Sequence, residues 1–108
     1  MKELLTKMPN PMNLINLLGC ADSLPQAWQS SIMGRAGGAN IKVLRMDDMA
    51  YPAETHDYAE ALLVLEGQMR LSVDDTVVEV GTGQLYLVPA GQPHAVAPGS
   101  HGTLVIID

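Results

Sequence analysis

Twelve acidic residues oppose six basic ones in a chain of 108, a net charge near −6. That balance lacks the clustered Lys and Arg that nucleic acid demands, and no apolar run approaches the roughly 20 residues of a membrane-spanning helix. An apolar fraction of 47% argues against disorder over the whole chain, and the length suits one domain with a modest core.

Phenylalanine is absent, so Leu, Val, Ile, Met and Ala must build that core. Cys20 is the lone cysteine and forms no internal disulfide. A reducing, cytoplasmic setting fits this, with Cys20 as a small buried or half-buried side chain. "MKELLTKMPNP" is broken by Glu3, Lys7, Pro9 and Pro11 and does not resemble a secretory signal.

Residues 1–28 read as an arm apart from the domain at 29–108. "MKELLTKM" suits one or two helical turns. "NPMNLINLLGC" offers Asn13 as an N-cap, Leu14, Leu17 and Leu18 on one face, and Gly19 as a stop. "ADSLPQAW" connects, with Trp28 placed to anchor the arm to the domain. From there the period becomes that of strands: "WQSSIMGR", the glycine turn "GRAGGAN", then "IKVLRM". That turn lacks the Gly-Lys-Ser/Thr ending of a phosphate loop. Asp47-Asp48 reads as a solvated turn. "ALLVL" follows, ended by Glu66-Gly67, and "QMRLSV" alternates with Met69, Leu71 and Val73 on one face. Asp74-Asp75 is a tight hairpin turn into "TVVEV". "QLYLV", "HAVA" and "TLVIID" complete about eight short strands punctuated by Gly, Pro and Asp. This is an all-β, antiparallel sandwich or barrel pattern. "ALLVL" and "LVII" are apolar on both faces, so a second cover is expected, and a homodimer supplies it.

The polar signal lies in "ETHDYAEALLVLEG", Glu54 to Gly67. Glu54 and His56 share a strand face, and Tyr58 and Glu60 keep the same parity. Ionised groups beside a buried segment need a partner, and a metal ion is one. Farther on, "GQLYLVPAGQPHAVAP" sets His94 behind a Pro-x-Gly turn. Together the segments read Glu54-x-His56-x3-Glu60-x6-Gly67, fifteen residues, then Gly83-x5-Pro89-x-Gly91-x2-His94.

This pattern resembles the cupin superfamily, whose motifs run Gly-x5-His-x-His-x3–4-Glu-x6-Gly and Gly-x5-Pro-x-Gly-x2-His-x3-Asn. The resemblance spans residues 50–98 and implies a single-domain double-stranded β-helix, or jelly-roll barrel, here with a short N-terminal helical arm. The second motif matches from Gly83 to His94. In the first, Glu54 stands where a metal-binding histidine would, Asp48 where the opening Gly would, and Pro98 replaces the final Asn. Carried over, the resemblance implies a divalent ion (Fe, Mn, Zn or Ni) held by His56, Glu60, His94 and Glu54. If Glu54 turns away, His56, Glu60 and His94 form a facial set. Left unligated, Glu54 would serve as a general base.

Tyr58 and Tyr86 are candidate pocket walls. His101 in "PGSHG" reads as exposed, and Met33, Met46, Met49 and Met69 as core filler. The functional expectation is a small metal enzyme acting on a small polar organic substrate, as a dioxygenase, isomerase or lyase. The alternatives are a metal-free ligand-binding or sensing module and a structural dimer with a vestigial pocket. With no DNA-reading helix pair and no basic patch, neither nucleic acid nor membrane is an expected partner.

Overall fold

The computed structural model describes residues 13–108. The helical turns expected in "MKELLTKM" lie outside them. A short helix, α1 (Leu17–Asp22), precedes eight strands. These are β1 (Ser31–Ala36), β2 (Ala39–Asp47), β3 (Tyr51–Glu54), β4 (Glu60–Val73), β5 (Thr76–Gly81), β6 (Leu85–Val88), β7 (His94–Val96) and β8 (His101–Ile107). All pairings are antiparallel, in one curled sheet of order β1-β2-β8-β4-β7-β3, with β5 and β6 also on β4.

Two local expectations change. The helix cap is Asn16, not Asn13: its side chain accepts the Gly19 N–H at 3.1 Å, and Gly19 lies inside the first turn instead of ending the helix. Both asparagines suit a cap by type; the helix starts at Leu17, with Ala21 buried, and so takes the second. Arg45 on β2 then donates to the Ala21 and Leu24 carbonyls at 2.9 and 3.0 Å, satisfying orphan acceptors at the helix end.

The second change is larger. "ALLVL" and "QMRLSV" are one strand of 14 residues, β4, which runs through Gly67. A bulge against β8 between Val64 and Glu66 inserts one extra residue. Inward positions therefore switch parity, from Glu60, Leu62 and Val64 to Met69, Leu71 and Val73, all buried. The first half of β4 pairs with β6, and the second half with β5 and β7. Beyond its end Asp74 and Asp75 both take positive φ (49° and 62°), which matches a twisted two-residue hairpin turn.

The bulge brings two glycine backbones together. Gly67 and Gly102 are cross-strand partners with φ of 94° and 100°. A Cβ on Gly67 would lie 2.1 Å from the His101 carbonyl oxygen, and one on Gly102 would lie 2.0 Å from that of Glu66. Backbone on both sides leaves nothing to yield.

The core inside the curl consists of Leu44, Met46, Leu62, Val64, Met69, Leu71, Val73, Val80, Val88 and Leu104. Met46 and Met69 fill it as expected, whereas Met49 is exposed. On the outer face Leu85 and Leu87 of β6 stand exposed beside half-buried Leu63 and Ala61. Gly67→Ala and Gly102→Ala should each cost at least about 3 kcal/mol. The check is a fall in denaturant midpoint at unchanged slope; a loss below about 1 kcal/mol would remove the close approach as a constraint.

Candidate metal centre

The curl lines a half-open cavity of about 160 Å³. That lies below the roughly 300–1,000 Å³ of sites for drug-sized ligands, so its occupant is small. Glu54, His56, Tyr58, Glu60 and His94 all line it.

Register explains why they meet. Glu54 at the end of β3 pairs with His94 at the start of β7, and His94 also pairs with Val73 on β4. Glu60 opens β4 on its inward face. His56 is held from the Pro-x-Gly turn: the Gly91 N–H donates to the His56 carbonyl at 2.7 Å, with Gly91 at φ 81°. The turn between β6 and β7 thus places one histidine by sequence and pins the other by its backbone.

One ligand atom each from Glu54, His56 and His94 lies within 4.8 Å of the others. Glu54 Oε2 is 3.3 Å from His56 Nε2, so Glu54 faces inward and does not turn away. Glu60 sits under both rings, with Oε1 3.2 Å from His94 Nε2 and Oε2 3.9 Å from His56 Nε2. Tyr58 stacks on His56 with centroids 4.9 Å apart and planes at 11°. Tyr86, expected at a pocket wall, is not at this cavity; it faces the core from β6, opposite Leu62. His101 is exposed, 3.7 Å from Asp48.

The donor set fits a cation. His94 Nδ1 lies 3.1 Å from the Gln92 carbonyl, which only accepts, so Nδ1 carries the hydrogen. A neutral His94 then presents a lone pair on Nε2 to the Glu60 carboxylate. Two acceptors at 3.2 Å need a positive centre between or beside them, either a proton or a metal ion. A ring nitrogen bonded to backbone behind a free Nε2 is the usual arrangement of a metal-ligating histidine. Two imidazoles and two carboxylates suit Fe(II), Mn(II) or Zn(II), the second carboxylate favouring harder ions.

A sequence profile of the cupin domain matches residues 46–108, more than half of the chain. The chain belongs to the cupin family. A search of curated proteins finds no match for this cupin. Among solved structures it resembles a cupin-2 domain protein from Shewanella frigidimarina, with a TM-score of 0.80 at 20% identity over 88% of this chain and 93% of that one. A protein from Neisseria meningitidis gives 0.76 at 24%, covering 89% and 98%. A cupin superfamily protein from Desulfitobacterium hafniense gives 0.65 at 20%, covering 94% and 89%. At these identities the likeness concerns the fold.

Among the cavity residues of this cupin that were not candidates on sequence are Trp28, Lys42, Tyr51 and Asp108. Trp28 has φ 65°, rare for a bulky residue. Its N–H donates to the Arg45 carbonyl at 2.9 Å and its indole N–H to the Asp47 carboxylate. These bonds hold the ring against Tyr51, 5.6 Å away, so Trp28 lines the cavity as well as joining arm to sheet. A register shift between Tyr51 and Glu54 lets both face inward despite their spacing. The Glu54 charge beside the Tyr51 hydroxyl holds that phenol above its ordinary value. Lys42 and Asp108 carried a legible signal: each is a charge on the inward parity of an otherwise apolar strand.

Burial pushes the Glu60 carboxyl above its ordinary 4.5, aided by the Asp108 and Glu54 charges and opposed by His56 and His94. Without metal, the folded chain therefore keeps a proton that the unfolded chain loses near pH 4.5. This contribution to stability is full below that pH and is lost as pH rises through the raised value. In chelator, melting of wild type and Glu60→Gln from about pH 4 to about pH 8 should show the variant gaining on wild type as pH rises. A pH-independent difference would contradict the assignment.

Proposed function

We propose that this cupin holds a divalent metal ion between Glu54, His56 and His94, with Glu60 at the rear of the site, and binds a small polar organic ligand in the adjoining cavity. The observation that carries the reading is the convergence of three ligand atoms within 4.8 Å, with His94 Nδ1 already committed to the Gln92 carbonyl. Bound there, a divalent ion supplies Lewis-acid polarisation of a ligand oxygen.

The protein's own groups do the rest. Gln92 fixes the orientation of His94, and stacked Tyr58 limits rotation of His56. Glu60, deep and with its carboxyl held above the ordinary value, would have to give up its proton to face a bound cation, so metal uptake would strengthen as pH rises. Trp28 and Tyr51 give the cavity an aromatic wall. These features support metal-assisted chemistry on a small oxygenated molecule, of the dioxygenase, isomerase or lyase kind.

Glu54 in the place of a motif histidine favours a second reading, a metal-free module that binds or senses a small ligand. Metal content separates the two. Elemental analysis of tag-free protein should find close to one equivalent of a transition metal per chain. His94→Ala should reduce uptake by at least about tenfold, as expected for losing one of three or four ligands. Equal trace metal in both proteins would overturn the metal reading.

A further inference from the structure

The cavity wall carries a second polar station, separate from the histidines. Lys42 on β2 and Asp108 just beyond β8 share the inward parity of their strands with Leu44 and Leu104. The backbone of Asp108 is fixed by two hydrogen bonds with Asn40, at 2.7 and 3.1 Å. Lys42 Nζ lies 2.7 Å from Asp108 Oδ2, and the Asp108 side chain is only 4% exposed.

Two features set this pair apart from a structural ion pair. Burying it costs more than burying apolar groups of the same size unless its remaining hydrogen-bonding capacity is used. Among the described residues that capacity is not filled. Asp108 Oδ2 has its charge partner there but no well-directed hydrogen bond, and an ammonium carries three donors. Moreover, Lys42 is the one Lys or Arg side chain lining the cavity among the described residues. It faces a space flanked by the carboxylates of Glu54, Glu60 and Asp108. A divalent ion at the histidines brings that set to charge balance, so an anionic ligand meets no net repulsion and one fixed cation.

We propose that Lys42 and Asp108 form a recognition pair for a small hydroxy acid. The ligand carboxylate accepts from Lys42 Nζ, and the ligand hydroxyl donates to the Asp108 carboxylate where it lines the cavity. A site built to pair both groups discriminates strongly against molecules lacking either, because each absence leaves a buried partner unpaired. The small cavity limits the ligand to a few carbons. This deepens the ligand-binding part of the function proposed above by naming the ligand class, and its test is scored independently of metal content.

The probes are lactate, propane-1,2-diol and propionate, which share a three-carbon frame and differ in the carboxylate or the hydroxyl. Calorimetric titration of zinc-loaded protein should show lactate binding at least about tenfold more tightly than either of the others. Lys42→Met should bring lactate down to the level of the diol. Because that variant leaves Asp108 buried without its counter-ion, the double variant Lys42→Met/Asp108→Leu provides the second arm. Apolar replacement of both partners keeps the fold, and the double variant should bind all three probes equally weakly. Equal binding of the three by wild type, or a lactate preference surviving in the double variant, would overturn the pair. Zinc content on the same samples separates the two ideas. Full zinc with no lactate preference refutes the pair alone. A lactate preference without zinc uptake supports the pair and counts against the metal site.

Discussion

The architecture depends on one close approach, that of the backbones of Gly67 and Gly102 across β4 and β8. No side chain larger than hydrogen fits at either position. This contact lets a strand of 14 residues curl without breaking, while the adjacent bulge switches its inward parity. Both halves of β4 can therefore contribute to the same interior. Glu60 at one end and the apolar run Met69, Leu71 and Val73 at the other face the same space only because of that switch. Four other strands, β5 to β8, pair with β4, so its curvature sets the positions of His94 and of the loop that pins His56.

Within that frame the chemistry is governed by charge. Glu60 is buried between two imidazoles, and the backbone carbonyl of Gln92 dictates which nitrogen of His94 faces it. A low-dielectric interior magnifies the cost of facing acceptors. The cluster thus gathers four groups that could face a cation, and burial holds the Glu60 carboxyl above its ordinary value. On the neighbouring wall the polarity is reversed. There the Lys42 ammonium is held by the buried Asp108 carboxylate.

The aromatic residues tie this site to the rest of the chain. Trp28 belongs to the connector after α1, yet its ring lines the cavity and its indole bonds to Asp47 at the end of β2. Its positive φ is compatible with a bulky side chain only because these bonds over-determine it.

Much of this was written in the order of residue types. Alternation of apolar residues and the spacing of Gly, Pro and Asp determined an antiparallel β fold, because strand parity and turn chemistry are local properties. The spacing of His56, Glu60, Gly83, Pro89, Gly91 and His94 likewise determined the cupin resemblance and the candidate site. Three things were decided only by tertiary structure. Continuity of β4 through Gly67 depends on a partner glycine 35 positions away. The inward turn of Glu54 depends on its pairing with His94, and the exclusion of Tyr86 from the cavity depends on its place opposite Leu62. The meeting of Lys42 with Asp108 joins residues 66 positions apart. Periodicity assigns each residue a face of its own strand; which faces close on one another is fixed by register, bulge and curvature, and these arise from contacts between segments distant in the chain.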